Sequence, residues 1–311
     1  MQNSSLDNKT LHKFYNNRDY SLFGVIGNPV SHSKSPFLHK NFLFNAGLDT
    51  KAEYIKINIT NPAELKDIIL TMPKMGFVGC NITTPFKEQV FAIIAKLANK
   101  GLAKCNLTTK RIGAVNCLFF NPDTGIIEAS NTDASGFITD LQDKKFIFTT
   151  NRVLIIGAGG ASRAIIAGLL NLDIRCLHIS IINRTYEKAK NIANHFKSKY
   201  QFYKPSIKAM QAEELEIQDY NLIINTTSLG LKANEYPDID YNKINYTAFC
   251  YDVIYPSDSP HSLTPFLQKC LDAGMDRRQL CNGYGMLYNQ ALESFKIWTT
   301  DSELSLKHDF S

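Results

Sequence analysis

A lysine at the start of an amphipathic run is placed where it can move a proton. The segment Asn81-Ile82-Thr83-Thr84-Pro85-Phe86-Lys87 opens the run from Phe86 to Lys100. Thr84 is positioned to cap a helix and Pro85 to be its first residue, since proline has no N–H to lose there and its φ is already helical. Lys87 then falls near the third helical position, where a capping box has Glu or Gln and the helix dipole disfavours a cation. An ammonium there has its neutral form favoured, which suits proton transfer. A solvated surface lysine fits the same pattern, so a partner is needed. Asp133, in Asn131-Thr132-Asp133-Ala134-Ser135-Gly136-Phe137, reads by itself as the N-cap of the helix that follows. If the fold brings it to Lys87, the two make an acid–base pair suited to reducing a ketone, where a proton must reach the alkoxide as a hydride arrives.

A second group of residues is built to hold phosphates. Asn151-Arg152-Val153-Leu154-Ile155-Ile156 reads as a buried strand and runs into Gly157-Ala158-Gly159-Gly160-Ala161-Ser162, which opens a helix to about Leu170. Strand, glycine turn and helix in that order place a pyrophosphate on a helix N-terminus. Ser162 stands where the general fingerprint has Gly or Ala. The next strand, His178 to Ile182, ends in Asn183-Arg184-Thr185 with Lys188 one turn on. No acid is present there to accept from a ribose 2′-hydroxyl, and Arg184 suits a 2′-phosphate, so the pattern favours NADP over NAD. Tyr220 to Asn225 reads as another strand, with Thr226-Thr227-Ser228-Leu229-Gly230 as a polar loop at its carboxyl end. Near the start, Gly27-Asn28-Pro29-Val30-Ser31-His32-Ser33-Lys34-Ser35-Pro36 offers hydroxyls close to a helix N-terminus, a way to hold a small carboxylate. Capping and loop chemistry explain that turn equally well, and His32 reads as a loop residue rather than a base.

These groups need a scaffold of alternating strands and helices, and the chain supplies one from about residue 21 to 280, the pattern of α/β architecture. Leu22 to Ile26, Ala52 to Ile57 and Gly79 to Ile82 read as strands, with helices beginning near Ser35 and after Pro62 and Pro85. Val115 to Phe120 and Ile126 to Ala129 flank the turn Asn121-Pro122-Asp123-Thr124-Gly125, which predicts a hairpin and therefore a mixed sheet. The first seventeen residues read as a loose tail.

At 311 residues the chain exceeds what one core usually serves, so two domains are expected. Apolar content of 44% and charged content of 20% describe an ordinary globular protein. The net charge of +5 comes from scattered Lys and Arg, which does not point to nucleic acid. Seven cysteines without a C-x-x-C pair argue for reduced thiols in a cytosol-like compartment and against a zinc site, so no metal is expected. Residues 1–17 carry no apolar signal core, and no run approaches the ~18 to 20 apolar residues of a membrane span. A cytoplasmic enzyme with small-molecule partners, monomer or homodimer, is the expectation.

Taken in order, Gly27 to Pro36, Gly79 to Lys87, Gly113-Ala114-Val115-Asn116, Asn131 to Asp133, Gly157 to Ala161, Asn183 to Thr185, Asn225 to Ser228, Tyr251-Asp252, Thr264-Pro265 and Gly283 to Trp298 resemble the shikimate dehydrogenase family over roughly residues 20 to 300. The resemblance implies reversible NADP-linked reduction of 3-dehydroshikimate to shikimate in aromatic biosynthesis. It implies a substrate domain, residues 1–133 completed by 283–311, with a mixed, mostly parallel sheet. A Rossmann-type NADP domain would occupy 134–282, with a cleft between the two. Lys87 and Asp133 match the family's catalytic pair, Ser33 and Ser35 its carboxylate-binding serines, and Thr83, Asn116, Tyr255 and Gln290 residues that bind the rest of the ring. Gly157, Gly159, Gly160 and Ala161 match the pyrophosphate turn. Asn183, Arg184, Thr185 and Lys188 match the 2′-phosphate site, and Thr227, Val253 and Gly283 fall where the nicotinamide end is contacted. Thr226 departs from the small residue usual after that asparagine, and the loop 256–263 is longer than typical. A quinate/shikimate dehydrogenase using NAD(P), a type that often prefers NAD, and a silent NADP-sensing protein on the same scaffold are the alternatives.

Overall fold

The computed structural model describes residues 20–148, 152–172, 177–200, 206–232, 234–256, 259 and 261–300, the side chain of Thr300 excepted. The N-terminal tail and three residues of the loop 256–263 lie outside them. The chain divides between Thr132 and Asp133 and again between Asn289 and Gln290 into two compact units.

The first unit runs through Ser21–Gly27 (β1), Ser35–Asn45 (α1), Ala52–Asn58 (β2), Leu65–Thr71 (α2), Phe77–Ile82 (β3), Lys87–Ala98 (α3), Ala103–Cys105 (β4), Leu107–Ile112 (α4), Cys117–Phe120 (β5) and Ile127–Ser130 (β6). Its sheet has the order β2-β1-β3-β5-β6-β4. Strands β1, β2 and β3 are parallel, whereas β5 is antiparallel to β3 and β6. The hairpin and mixed sheet predicted from Asn121 to Gly125 are present, and the Asn121 side chain accepts from the N–H groups of Asp123 and Thr124 to close the turn. The segment 101–113 holds β4 and α4, which no pattern in the sequence predicts. Both are too short for a periodic signal, and a local cap, Asn106 accepting from Thr109 N at 2.8 Å, starts the helix.

Alternation along β1 separates two cores. Leu22 and Ile26 pack with Ile55, Cys80, Val90 and Ile94 on one face. Phe23 points the other way and stacks on Trp298, ring centroids 5.3 Å apart. That second face also holds a histidine: His39 lies parallel to Tyr54 at 4.2 Å and 5.1 Å from Trp298, and it is 1% exposed. Neither imidazole nitrogen makes a hydrogen bond, and burial pushes the ring's pKa down to about 3. The Trp298 indole donates to Leu118 O at 2.9 Å. It lies where Gly79 has no side chain, since a Cβ there would be 2.3 Å from Nε1.

The second unit contains Asp133–Asp143 (α5), Arg152–Ile156 (β7), Gly160–Asn171 (α6), His178–Ile182 (β8), Tyr186–Lys199 (α7), Ser206–Ala209 (β9), Leu222–Asn225 (β10), Phe249–Asp252 (β11), Pro265–Asp272 (α8) and Leu280–Asn282 (β12). The last helix, Tyr284–Thr300 (α9), begins here and ends in the first unit. All six strands are parallel in the order β12-β11-β10-β7-β8-β9, the doubly wound Rossmann arrangement. Buried runs such as Val153 to Ile156 and Leu222 to Asn225 suit strands covered on both faces. The order reverses between β7 and β10, so the carboxyl ends of these two strands mark the ligand position. Among the described residues no helix is long and apolar enough to cross a membrane.

Candidate active site and cofactor site

In the first unit the candidate substrate residues gather at the carboxyl ends of β1 and β3. Ser35 is buried at the first position of α1, and Ser33 Oγ accepts from its N–H at 3.3 Å, so the two serines are held in one turn. This loop meets the one after β3: Asn28 N donates to Thr84 O at 3.1 Å, and a Cβ on Gly27 would come within 2.5 Å of the Thr83 methyl. Glycine at 27 therefore permits the approach of the serine turn to Thr83.

The start of α3 differs from the sequence expectation. Thr84 is not the cap and Pro85 is not helical; the Thr84–Pro85 peptide is cis, and Phe86 N donates to Thr83 O at 3.0 Å. That bond commits residues 83–86 to a turn, so the helix begins at Lys87 itself, two residues earlier in helical register than the third position. Lys87 is half-buried, and its carbonyl accepts from Val115 N at 3.0 Å, which ties the helix start to the segment that carries Asn116 into β5.

Asn116 is the hub of the buried polar cluster. Its Oδ1 accepts from Thr132 N at 2.7 Å; its Nδ2 donates to Thr132 Oγ1 at 3.0 Å and, at 3.4 Å, to Gln290 Oε1. Thr132 Oγ1 in turn donates to Gln290 O at 3.0 Å. Behind them Asn81 donates to Ser294 Oγ and to Asn116 O, and accepts from the Tyr54 hydroxyl at 2.8 Å. Asn81, Thr132 and Ser294 are members of this cluster that the sequence pattern does not mark as site residues. The visible signal was a polar residue at a buried position of a strand, Asn81 between Cys80 and Ile82.

In the second unit Asp133 is buried as the first residue of α5, one place inside the N-cap position read from sequence. The glycine turn follows β7 as expected. Gly157 adopts φ +114°, and a Cβ there would lie 2.6 Å from Thr226 Oγ1. Around Gly159 a Cβ would meet nothing within 4 Å, which leaves open space at the N-terminus of α6 of the kind a pyrophosphate fills. Gly160 and Ala161 form the first turn of that helix, and the departure at Ser162 is absorbed by its hydroxyl donating to Gly159 O at 2.6 Å. After β8, Asn183 Nδ2 donates to Thr185 O at 2.9 Å and shapes the turn into α7, leaving Arg184 and Lys188 exposed. Donor set and shape fit a dinucleotide carrying a 2′-phosphate.

The loops after β10 and β11 complete this end of the sheet. Thr226, unusual by type, uses its hydroxyl to donate to Ile156 O at 2.9 Å and so fastens its loop to the glycine turn. Thr227 donates to Asn225 Oδ1 at 2.7 Å. Val253 packs against Gly283 so closely that a Cβ on the glycine would be 2.2 Å from Val253 O. Tyr255 is half-buried beyond them.

Comparison with known proteins identifies the whole arrangement. The family model for the shikimate dehydrogenase substrate binding domain matches residues 25–118, and that for shikimate / quinate 5-dehydrogenase matches residues 140–237. A shikimate dehydrogenase (NADP(+)) from Ruegeria sp. (strain TM1040) is 35% identical over 279 residues, 89% of this chain and 92% of that protein. This chain belongs to the shikimate dehydrogenase family. Among solved structures of the family, the Aquifex aeolicus enzyme superposes with a TM-score of 0.75 at 32% identity, covering 94% of this chain and 99% of that one. The Thermus thermophilus enzyme, solved in complex with NADP(H) and shikimate, gives 0.71 at 26% identity over 90% of this chain and 93% of that one. The two-unit α/β fold is thus the family's fold.

Proposed function

We propose that this chain is an NADP-linked shikimate dehydrogenase that reversibly reduces 3-dehydroshikimate to shikimate in aromatic biosynthesis. The observation that carries the reading is the near full-length similarity to an NADP-dependent shikimate dehydrogenase, together with a serine turn, Thr83, Asn116 and Gln290 gathered in the first unit. A small hydroxylated carboxylate suits these groups. Ser33 and Ser35 offer hydroxyls to its carboxylate, while Thr83, Asn116, Gln290 and Tyr255 offer donors and acceptors to the ring hydroxyls.

Gly157, Gly159, Gly160 and Ala161 would hold the pyrophosphate, and Asn183, Arg184, Thr185 and Lys188 the 2′-phosphate. Thr227, Val253 and Gly283 would bound the nicotinamide. When bound, NADPH supplies the hydride that reduces the substrate ketone. The protein's own task is then the proton. Lys87, as the ammonium, gives a proton to the oxygen that becomes the 3-hydroxyl and takes it back in the reverse direction. Asp133 is the carboxylate we assign as its partner in the reaction, binding a neighbouring hydroxyl of the substrate. A cytoplasmic location goes with this reading.

The test is an absorbance assay at 340 nm with four pairs: shikimate or quinate, each with NADP or NAD. Shikimate with NADP is expected to be turned over fastest. Faster turnover of quinate, or of either acid with NAD, would replace this assignment by the quinate-type activity that the family description also names.

A further inference from the structure

Asn225, Asp252 and Thr264 lie in the matching stretches of sequence, yet the functional reading gives none of them a part in binding or proton transfer. All three are buried, Asn225 and Asp252 at 0% exposure. Their hydrogen bonds converge on one carboxylate. Asp252 Oδ1 accepts from Asn225 Nδ2 at 3.0 Å and from Ile254 N at 3.1 Å, and Oδ2 accepts from Thr264 Oγ1 at 2.5 Å.

A side-chain amide can sit in its slot two ways round, and its neighbours decide which. Asn225 faces an acceptor on one side, Asp252 Oδ1, and a donor on the other, Thr227 N. Only one orientation satisfies both: the NH2 toward Asp252 and Leu229 O, the oxygen toward Thr227 N and Thr227 Oγ1. With its proton committed to Asn225, the Thr227 hydroxyl accepts from Leu229 N at 3.1 Å. The loop from Thr226 to Gly230 is folded about that amide. On the other side Ile254, turned by Asp252, accepts from Gly283 N at 2.9 Å through its carbonyl, in the same stretch that presses Val253 onto Gly283.

We infer that Asp252 is a positioning residue for the nicotinamide end of the cofactor site: its Oδ1, as an acceptor, orients Asn225 and turns Ile254, and thereby sets Thr227, Val253 and Gly283 together. The inference rests on the functional reading for the assignment of those three residues to the nicotinamide. The feature required is the acceptor and not the charge. An amide at position 252 with its oxygen in the Oδ1 place still serves Asn225 and Ile254, and its NH2 meets Thr264 Oγ1, a hydroxyl able to accept as well as donate.

The test compares Asp252→Ala, Asp252→Asn and Asn225→Asp. Two quantities are measured on each: kcat and KM for NADP with shikimate, and the affinities for NADPH and for 2′,5′-ADP, which occupies only the adenosine end. Asp252→Ala is expected to lower kcat/KM about ten- to a hundredfold, the loss that accompanies unpaired buried groups. Its 2′,5′-ADP affinity should stay within about twofold, because the adenosine end is built from β7 and β8. Asn225→Asp leaves no cavity but replaces the donating NH2 by a carboxyl oxygen that faces Asp252 Oδ1, and it should show the same split. Asp252→Asn should restore kcat/KM to within a few-fold of the parent. Full activity in Asp252→Ala and Asn225→Asp overturns the inference. So does a parallel loss of 2′,5′-ADP binding in both, which would mark a merely structural role. Should the parent protein lack shikimate activity, the functional reading fails by itself, and the ratio of NADPH to 2′,5′-ADP affinity still decides the role of Asp252.

Discussion

His39 makes the stability of the first unit depend on pH, and replacing it with Phe isolates the effect. The imidazole is buried against Tyr54, Phe42, Phe295 and Trp298 with its pKa lowered from 6.5 to about 3. The folded state therefore binds fewer protons than the unfolded chain between those two values. Stability from this group is fully present above about pH 6.5 and is lost as pH falls toward 3. At pH 5 the unfolded chain has gained about 1.5 pK units' worth of protonation that the folded ring has not, or roughly 2 kcal/mol at 1.36 kcal/mol per unit. Phe keeps an aromatic ring on Tyr54 and cannot titrate. Urea unfolding followed by Trp298 fluorescence reads this unit, because the chain has one tryptophan and it lies in the same cluster. Between pH 7.5 and 5 the parent should lose about 2 kcal/mol more than His39→Phe. Asp252, raised by burial to about 7, has the opposite sign: its ionisation costs stability as pH rises from about 4 to 7. It is the same in both proteins and cancels in the difference. Parallel pH dependences for parent and variant would refute the argument.

Two further outcomes follow from the geometry. Lys87→Ala should lower kcat by about a hundredfold or more with little change in KM for shikimate, the signature of a group acting in the transition state; near-normal kcat would remove Lys87 from the proton transfer. Gly79→Ala puts a methyl 2.3 Å from the Trp298 indole nitrogen, so the ring must leave its place and its bond to Leu118 O. A loss of about 2 to 4 kcal/mol is expected in urea unfolding, and a change below about 0.5 would show that the helix end accommodates the methyl freely.

What was legible in the sequence was local. Strand, glycine turn and helix occupy consecutive residues from Arg152 to Asn171, and the hairpin turn from Asn121 to Gly125 carries its own side-chain cap, so each declares itself in a short window. The start of α3 misled because Thr-Pro is a strong helix-start pattern, and nothing nearby reveals that Thr83 O is already engaged. The polar cluster around Asn116 was only partly visible, since Thr132 and Gln290 meet across 158 positions. Helix α1 mixes its faces: Leu38, Phe42 and Leu43 are buried but so is His39, while Phe37 and Phe44 are 63% and 70% exposed. Polarity along that helix singles out no one face, and the aromatic slot formed by Tyr54 and Trp298 accounts for the buried histidine.

The placement of Trp298 bears on how the chain can be made. The ring that closes one face of the first unit's core bonds Leu118 from 180 residues further on, at the end of a helix that begins in the second unit. On a ribosome the residues of the first unit's sheet emerge before any of the second, yet their aromatic face stays uncovered until the last stretch of the chain is synthesised. The second unit is continuous in sequence and can complete its sheet earlier. The domain that is translated first is therefore finished last. A stop codon shortly before position 298 would injure the N-terminal domain, leaving the sheet of the C-terminal one intact.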